Sequence, residues 1–158
     1  MLESIPDIPF FQNLDSGHLA LLRPLFEYYS CPSGTVVFEQ GDPATYLYLI
    51  IQGTMAIQYK PYDGPSITVT HLCAGAPFGW SAVVGSPKYT SSLVCKSELT
   101  AIRINGANLR KLCTQHPETG RLVLDRLARL VSKRWKDARR QVKTMLDNNL
   151  ALENLEKI

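Results

Sequence analysis

The densest set of ligand-capable groups lies between Phe78 and Val94, where two glycines, a proline and five serines or threonines crowd together. The stretch reads Phe78-Gly79-Trp80-Ser81-Ala82-Val83-Val84-Gly85-Ser86-Pro87-Lys88-Tyr89-Thr90-Ser91-Ser92-Leu93-Val94. Residues 79–84 can form one short helical turn, with Gly79 letting the backbone come close to whatever lies above it. Backbone N–H groups at such a turn, joined by the hydroxyls of Thr90, Ser91 and Ser92, make a cradle for an anion or a polar ligand. A tight polar loop between strands would have the same composition. The pattern alone leaves both readings open.

Catalytic chemistry has less to draw on. The histidines His18, His71 and His116 are scattered, and only His71 falls in a strand-like region. A metal oxygenase or isomerase on a barrel needs histidines and a carboxylate converging from adjacent strands, with spacing such as His-x-His. Neither that spacing nor a Gly-x-Ser-x-Gly nucleophile pattern occurs. The chain is expected not to be an enzyme. The four cysteines, Cys31, Cys73, Cys95 and Cys113, include no Cys-x-x-Cys pair, so buried free thiols are expected and no metal site.

Any cradle needs a frame to hold it, and strand signals flank this one. Cys31-Pro32-Ser33-Gly34 signals a turn ahead of Thr35 to Phe38, and Gly41-Asp42-Pro43 turns the chain again. Tyr46 to Ile51 is apolar almost throughout, as expected of a strand covered on both faces. Thr54 to Tyr59 alternates more clearly, and Asp63-Gly64 before Ile67 to Thr70 predicts a hairpin, with glycine accepting a positive φ. Ser92 to Cys95 and Leu99 to Ile104 supply two more strands. Short, regularly spaced strands of this kind indicate a sandwich or jelly roll.

Helices are expected at both ends. Asp15 or Ser16 can cap a turn leading into Leu19, Leu21, Leu22 and Leu25, broken or kinked at Pro24. Asn105 to Cys113 reads as a short helix, and Pro117 suits the first position of a long one from about Glu118. Along it, Val131, Trp135, Ala138, Val142 and Met145 fall at three- and four-residue steps, the spacing of a coiled-coil seam. Leu122, Leu127 and Leu130 would face the molecule's own barrel. Residues 1–120 carry seven Lys/Arg against nine Asp/Glu, whereas residues 121–143 carry nine against two. That basic run is either a surface for an acidic partner or a solvated helix face.

Val36-Val37-Phe38-Glu39-Gln40-Gly41-Asp42, then Leu47-Tyr48-Leu49-Ile50-Ile51-Gln52-Gly53, then Phe78-Gly79, at these distances, resembles the cyclic-nucleotide-binding domain of the catabolite activator protein family. The resemblance runs from about Ile8 to about Val142. It implies a mainly β fold with flanking helices, a β-roll or double-stranded jelly roll. The chain would be a single domain: N-terminal helices over 8–30, the roll over 31–104, and C-terminal helices over 105–158. It also makes the opening stretch a phosphate-binding cassette, with Phe78, Gly79, Trp80, Ser81, Ala82, Lys88, Tyr89, Thr90, Ser91 and Ser92 as the candidate ligand site.

Two cassette positions depart from the resembled pattern. The place of the glutamate that accepts from the ribose 2′-hydroxyl is Trp80, and that of the arginine pairing with the cyclic phosphate is Tyr89. A phenol cannot reproduce a guanidinium's bidentate, charge-assisted clamp on a phosphodiester. Losing such a bond costs roughly 1.5–3 kcal/mol, or about one to two decades of affinity. Lys88 is adjacent, but strand neighbours point to opposite faces.

The expectation is a small-ligand sensor or regulatory module that binds cyclic AMP or GMP weakly or not at all. No cofactor is implied beyond a cyclic nucleotide or another small anionic ligand. A ligand-free interaction scaffold, or the effector domain of a transcription regulator, is the alternative. The resemblance further implies a homodimer through the long helix. A protein partner on the basic helix is a further expectation. Since the chain ends within about fifteen residues of that basic run, sequence-specific DNA binding by it alone is not expected. No apolar run approaches a bilayer span and no basic, apolar leader opens the chain, so a cytoplasmic location is the expectation.

Overall fold

The computed structural model of the chain describes residues 8–131. Two four-stranded antiparallel sheets face one another, with helices on the outer side of the first. The lead-in is a 3-10 turn at Pro9–Phe11, helix α1 (Ser16–Leu22) and a second 3-10 turn at Arg23–Leu25. Asp15 caps α1 by accepting from the His18 N–H, at 2.8 Å. Pro24 sits where helical hydrogen bonding would need its missing N–H, and the helix gives way there.

Strands follow in the order β1 (Phe26–Cys31), β2 (Val36–Phe38), β3 (Tyr46–Gln52), β4 (Met55–Tyr59), β5 (Ile67–Leu72) and β6 (Pro77–Phe78). Helix α2 (Trp80–Val84) interrupts them before β7 (Ser92–Cys95) and β8 (Leu99–Asn105). Helix α3 (Gly106–Gln115) and a helix α4 beginning at 117 end the described chain. The first sheet runs β1-β8-β3-β6 and the second β2-β7-β4-β5. This is the expected β-roll.

The first sheet is covered on both faces, which explains the unbroken apolarity of β3. Leu47 and Leu49, with Ile102 and Ile104 of β8, meet Phe10, Phe11, Leu22, Leu109, Val123 and Leu127 from the lead-in and the C-terminal helices. From the opposite face, Tyr48, Ile50 and Ala101 meet Phe38, Met55, Leu72 and Leu93 between the sheets. The period-two pleat sends alternate residues of β3 to the two cores.

Three details correct the expectations. The N-terminal helical region stops at Leu25 instead of residue 30, because Phe26 to Cys31 pairs residue by residue with β8, from Phe26 opposite Ile104 to Cys31 opposite Leu99. The β4–β5 hairpin forms, but Gly64 does not carry the positive φ foreseen for it; the connection over residues 60–66 is long enough to turn without one. On α4 the buried valine and leucine positions are Val123 and Leu127, with Leu124 and Leu130 packed beside them, while Leu122 lies outside that cluster. Of the dimer seam only Val131 is described; Trp135, Ala138, Val142 and Met145 lie outside the described residues.

Candidate functional site

The cassette begins where Phe78 of β6 pairs with Tyr48 of β3. Gly79 then turns into the left-handed region at φ 102°, and a Cβ there would lie 2.6 Å from the Tyr46 carbonyl oxygen. Only glycine allows both the conformation and the approach. Helix α2 starts immediately after it, closed by Ala82 N–H to the Gly79 carbonyl at 2.9 Å. Helix geometry leaves the Trp80 and Ser81 N–H groups without an intrahelical acceptor.

Residues 87–89 return beside 41–44. The Ala44 N–H donates to the Pro87 carbonyl, the Tyr89 N–H to that of Asp42, and the Gly41 N–H to that of Tyr89. Pro43 and Lys88 form an isolated bridge, so the two neighbours Lys88 and Tyr89 take opposite faces. Lys88 is exposed and Tyr89 is buried. Tyr89 stacks on Phe38 with centroids 3.6 Å apart and planes 13° from parallel. Its hydroxyl donates to the Tyr46 carbonyl at 2.5 Å and accepts from the Tyr46 N–H at 2.9 Å. Burial pushes its pKa up to about 12, against the opposing pull of those backbone bonds, so the phenol stays neutral.

Beneath the cassette lies a cavity of about 560 Å³, within the roughly 300–1,000 Å³ usual for small-molecule sites. The cassette contributes Phe78, Gly79, Trp80, Ser81, Tyr89, Thr90 and Ser91 to its wall. Three of the candidate residues do not reach it. Ala82 is fully buried under α3, Lys88 faces outward, and the Ser92 hydroxyl accepts from the Gln40 N–H at 2.8 Å. The wall also takes residues the sequence reading did not single out: Ile57, Val69, Val84, Ser86 and, from α4, Ala128. Val131, assigned to the dimer seam, lines it as well. Alternation along β4 marks Ile57 as inward, whereas nothing local in the sequence brings α4 over the cassette.

The lining is apolar with hydroxyl accents, and no lining residue among the described ones is charged. Three of the described arginines are engaged with other groups. Arg110 donates to the Ala82 carbonyl behind α2, and Arg126 to the carbonyls of Phe10 and Gln12. Arg103 lies 4.1 Å from the Tyr46 ring centroid and 3.6 Å from the Glu27 carboxylate. Among the described residues no group of histidines, cysteines and carboxylates is placed to hold a metal. His18 bonds Thr119 through its ring at 2.7 Å, and His71 and His116 are exposed.

A family model for the cyclic nucleotide-binding domain matches residues 29–116, from β1 through α3. The chain belongs to that family. A CRP-like cAMP-activated global transcriptional regulator of Mycobacterium tuberculosis is 29% identical over 119 residues, which are 75% of this chain and 53% of the regulator. A cyclic nucleotide-binding domain from Methylobacillus flagellatus superposes with a TM-score of 0.77 at 21% identity, covering 85% of this chain and 76% of the other. The Thermus thermophilus catabolite activator protein superposes with a TM-score of 0.69 at 23% identity, covering 87% and 62%. At such identities the superpositions establish the fold. The chain spans about half or less of the length of the curated relatives it matches. No helix among the described residues is long and apolar enough to cross a membrane.

Proposed function

We propose that this cyclic nucleotide-binding-type domain is a regulatory module whose cavity takes a small ligand other than cyclic AMP or GMP, both of which it binds weakly or not at all. One observation carries the reading: among the described residues the cavity wall has no charged side chain, and it includes Trp80 and Tyr89, the places to which the family resemblance assigns a carboxylate and a guanidinium. A phosphodiester entering that wall would leave water with no cation among the described lining residues to meet it. Tyr89 is also fully engaged, its ring by Phe38 and its hydroxyl by the Tyr46 backbone.

Occupancy would be passed on through α4, since Ala128 and Val131 line the same cavity as the cassette. A ligand touching both would bias how the helix lies against the roll, a two-state equilibrium shifted by differential affinity. The helical spacing continuing from Val131 supports a homodimer through the same helix.

Calorimetric titration with each cyclic nucleotide tests the central claim. No heat at micromolar concentrations is the expected result, and a micromolar or tighter constant for either nucleotide overturns it. A thermal-shift screen of uncharged and weakly polar compounds should find a stabilising ligand, because anything binding only the native state raises Tm. A protein that no compound stabilises would instead be an interaction scaffold.

A further inference from the structure

Cys31 closes β1 in the first sheet and Cys95 closes β7 in the second, yet their sulfurs lie 3.0 Å apart. We propose that Cys31 and Cys95 form a reversible disulfide that clasps the two sheets together. The observed separation is within about 1 Å of a bonded pair. The backbone on either side holds it there. Leaving β1, the chain crosses between sheets at Pro32–Thr35, where the Gly34 N–H donates to the Cys95 carbonyl at 2.9 Å and the Cys95 N–H to the Thr35 carbonyl at 2.8 Å. Ser33 adds a hydroxyl bond to the Lys96 carbonyl at 3.1 Å. Few residues have to move for the bond to close.

The two thiols divide the work by exposure. Cys31 is half-buried and reachable, whereas Cys95 is 1% exposed. Burial, and then the neighbouring Cys31, push the Cys95 thiol up to about 12, so Cys95 is not the thiol that reacts first. With a low-molecular-weight disulfide such as oxidised glutathione as oxidant, the Cys31 thiolate attacks one sulfur. The glutathione S–S bond breaks, and one glutathione thiol leaves. Cys95 then loses its proton and attacks the Cys31 sulfur of the mixed disulfide. The second glutathione departs as its thiol. Two protein thiols have given up two electrons, and one external disulfide has become two thiols. A reducing compartment returns the pair to thiols, so the clasp reports oxidising conditions.

The bond would close a loop running from residue 31 to residue 95, which contains the whole cassette. Such a constraint acts on the unfolded chain and raises Tm.

The experiment exposes the full chain to oxidised glutathione, blocks remaining thiols with N-ethylmaleimide and maps unreduced peptides by mass spectrometry. The expected product is a peptide linking Cys31 to Cys95, reversed by dithiothreitol. In C31S the Cys95 thiol should stay unmodified. In a C73S/C113S background, oxidation should raise Tm by several degrees. Three results overturn the proposal: Cys31 halting at the mixed disulfide with Cys95 still free, a linked peptide joining a different pair, or a fall in Tm on oxidation.

Discussion

The ring of Tyr89 lies flat on that of Phe38, 3.6 Å between centroids, and its hydroxyl closes two bonds onto the Tyr46 backbone. Tyr89, which also lines the cavity, is part of the core that joins β2, β3 and the cassette. Tyr89→Phe keeps the stack and strips both hydrogen bonds. It should cost about 1–3 kcal/mol, since the Tyr46 N–H and carbonyl lose a buried partner. Urea unfolding of the two proteins measures it, and an unchanged midpoint would show that water replaces the hydroxyl without loss.

Gly79 offers a sharper contrast with a second glycine. Gly79→Ala places a methyl 2.6 Å from a backbone oxygen at φ 102°, so a loss of about 2 kcal/mol or more is expected. At Gly64 the φ is not positive and the nearest atom is the Pro61 ring carbon at 3.3 Å, so Gly64→Ala should stay within about 0.5 kcal/mol. Denaturant midpoints of the pair provide the check.

Alkaline pH should destabilise the fold. Tyr29 and Tyr89 are pushed from 10.0 to about 12, and Cys95 from 9.0 to about 12, all chiefly by burial. An acid whose folded pKa is raised stays protonated in the native state while the unfolded chain has already released its proton. Stability is therefore full below about pH 9 and falls as pH climbs towards 12. Unfolding midpoints from pH 7 to 11 should show the decline, and Tyr89→Phe should make it shallower.

Two arginines one turn apart on α4 should behave differently. Arg126 ties the carbonyls of Phe10 and Gln12 to α4, so Arg126→Gln should loosen residues 9–14, read as faster amide exchange there. Among the described residues Arg129 pairs only with Asp125, across an exposed helix turn at 3.0 Å, and Arg129→Gln should cost no more than about 0.5 kcal/mol.

Much of the roll was legible because its signals are local. The unbroken apolar run at β3, the turn at Pro32–Gly34 and the Phe78-Gly79 step each carry their own stereochemistry, and each element formed where its residues indicated. Parity also separated Lys88 from Tyr89 correctly. The failures needed partners distant in sequence. Phe26 to Tyr29 became strand because β8 was available to pair with it, and the α4 contribution to the cavity depends on packing across the whole roll. Likewise Cys31 and Cys95 stand 64 positions apart, and only the crossing between sheets brings them together. The site's polarity was half visible: the aromatic residues at 80 and 89 and the hydroxyls at 90–92 could be read off, but the engagement of Tyr89 by Phe38 and Tyr46 could not.

Gly106, at the start of α3, has no room to spare against α2: a Cβ there would run into the Ala82 carbonyl oxygen. Arg110, one turn further along, grips that same oxygen. The underside of the cassette and the start of α3 therefore meet backbone to backbone, with no side chain between them at this point. Gly106→Ala should drive the two apart and cost more than a surface substitution of the same size.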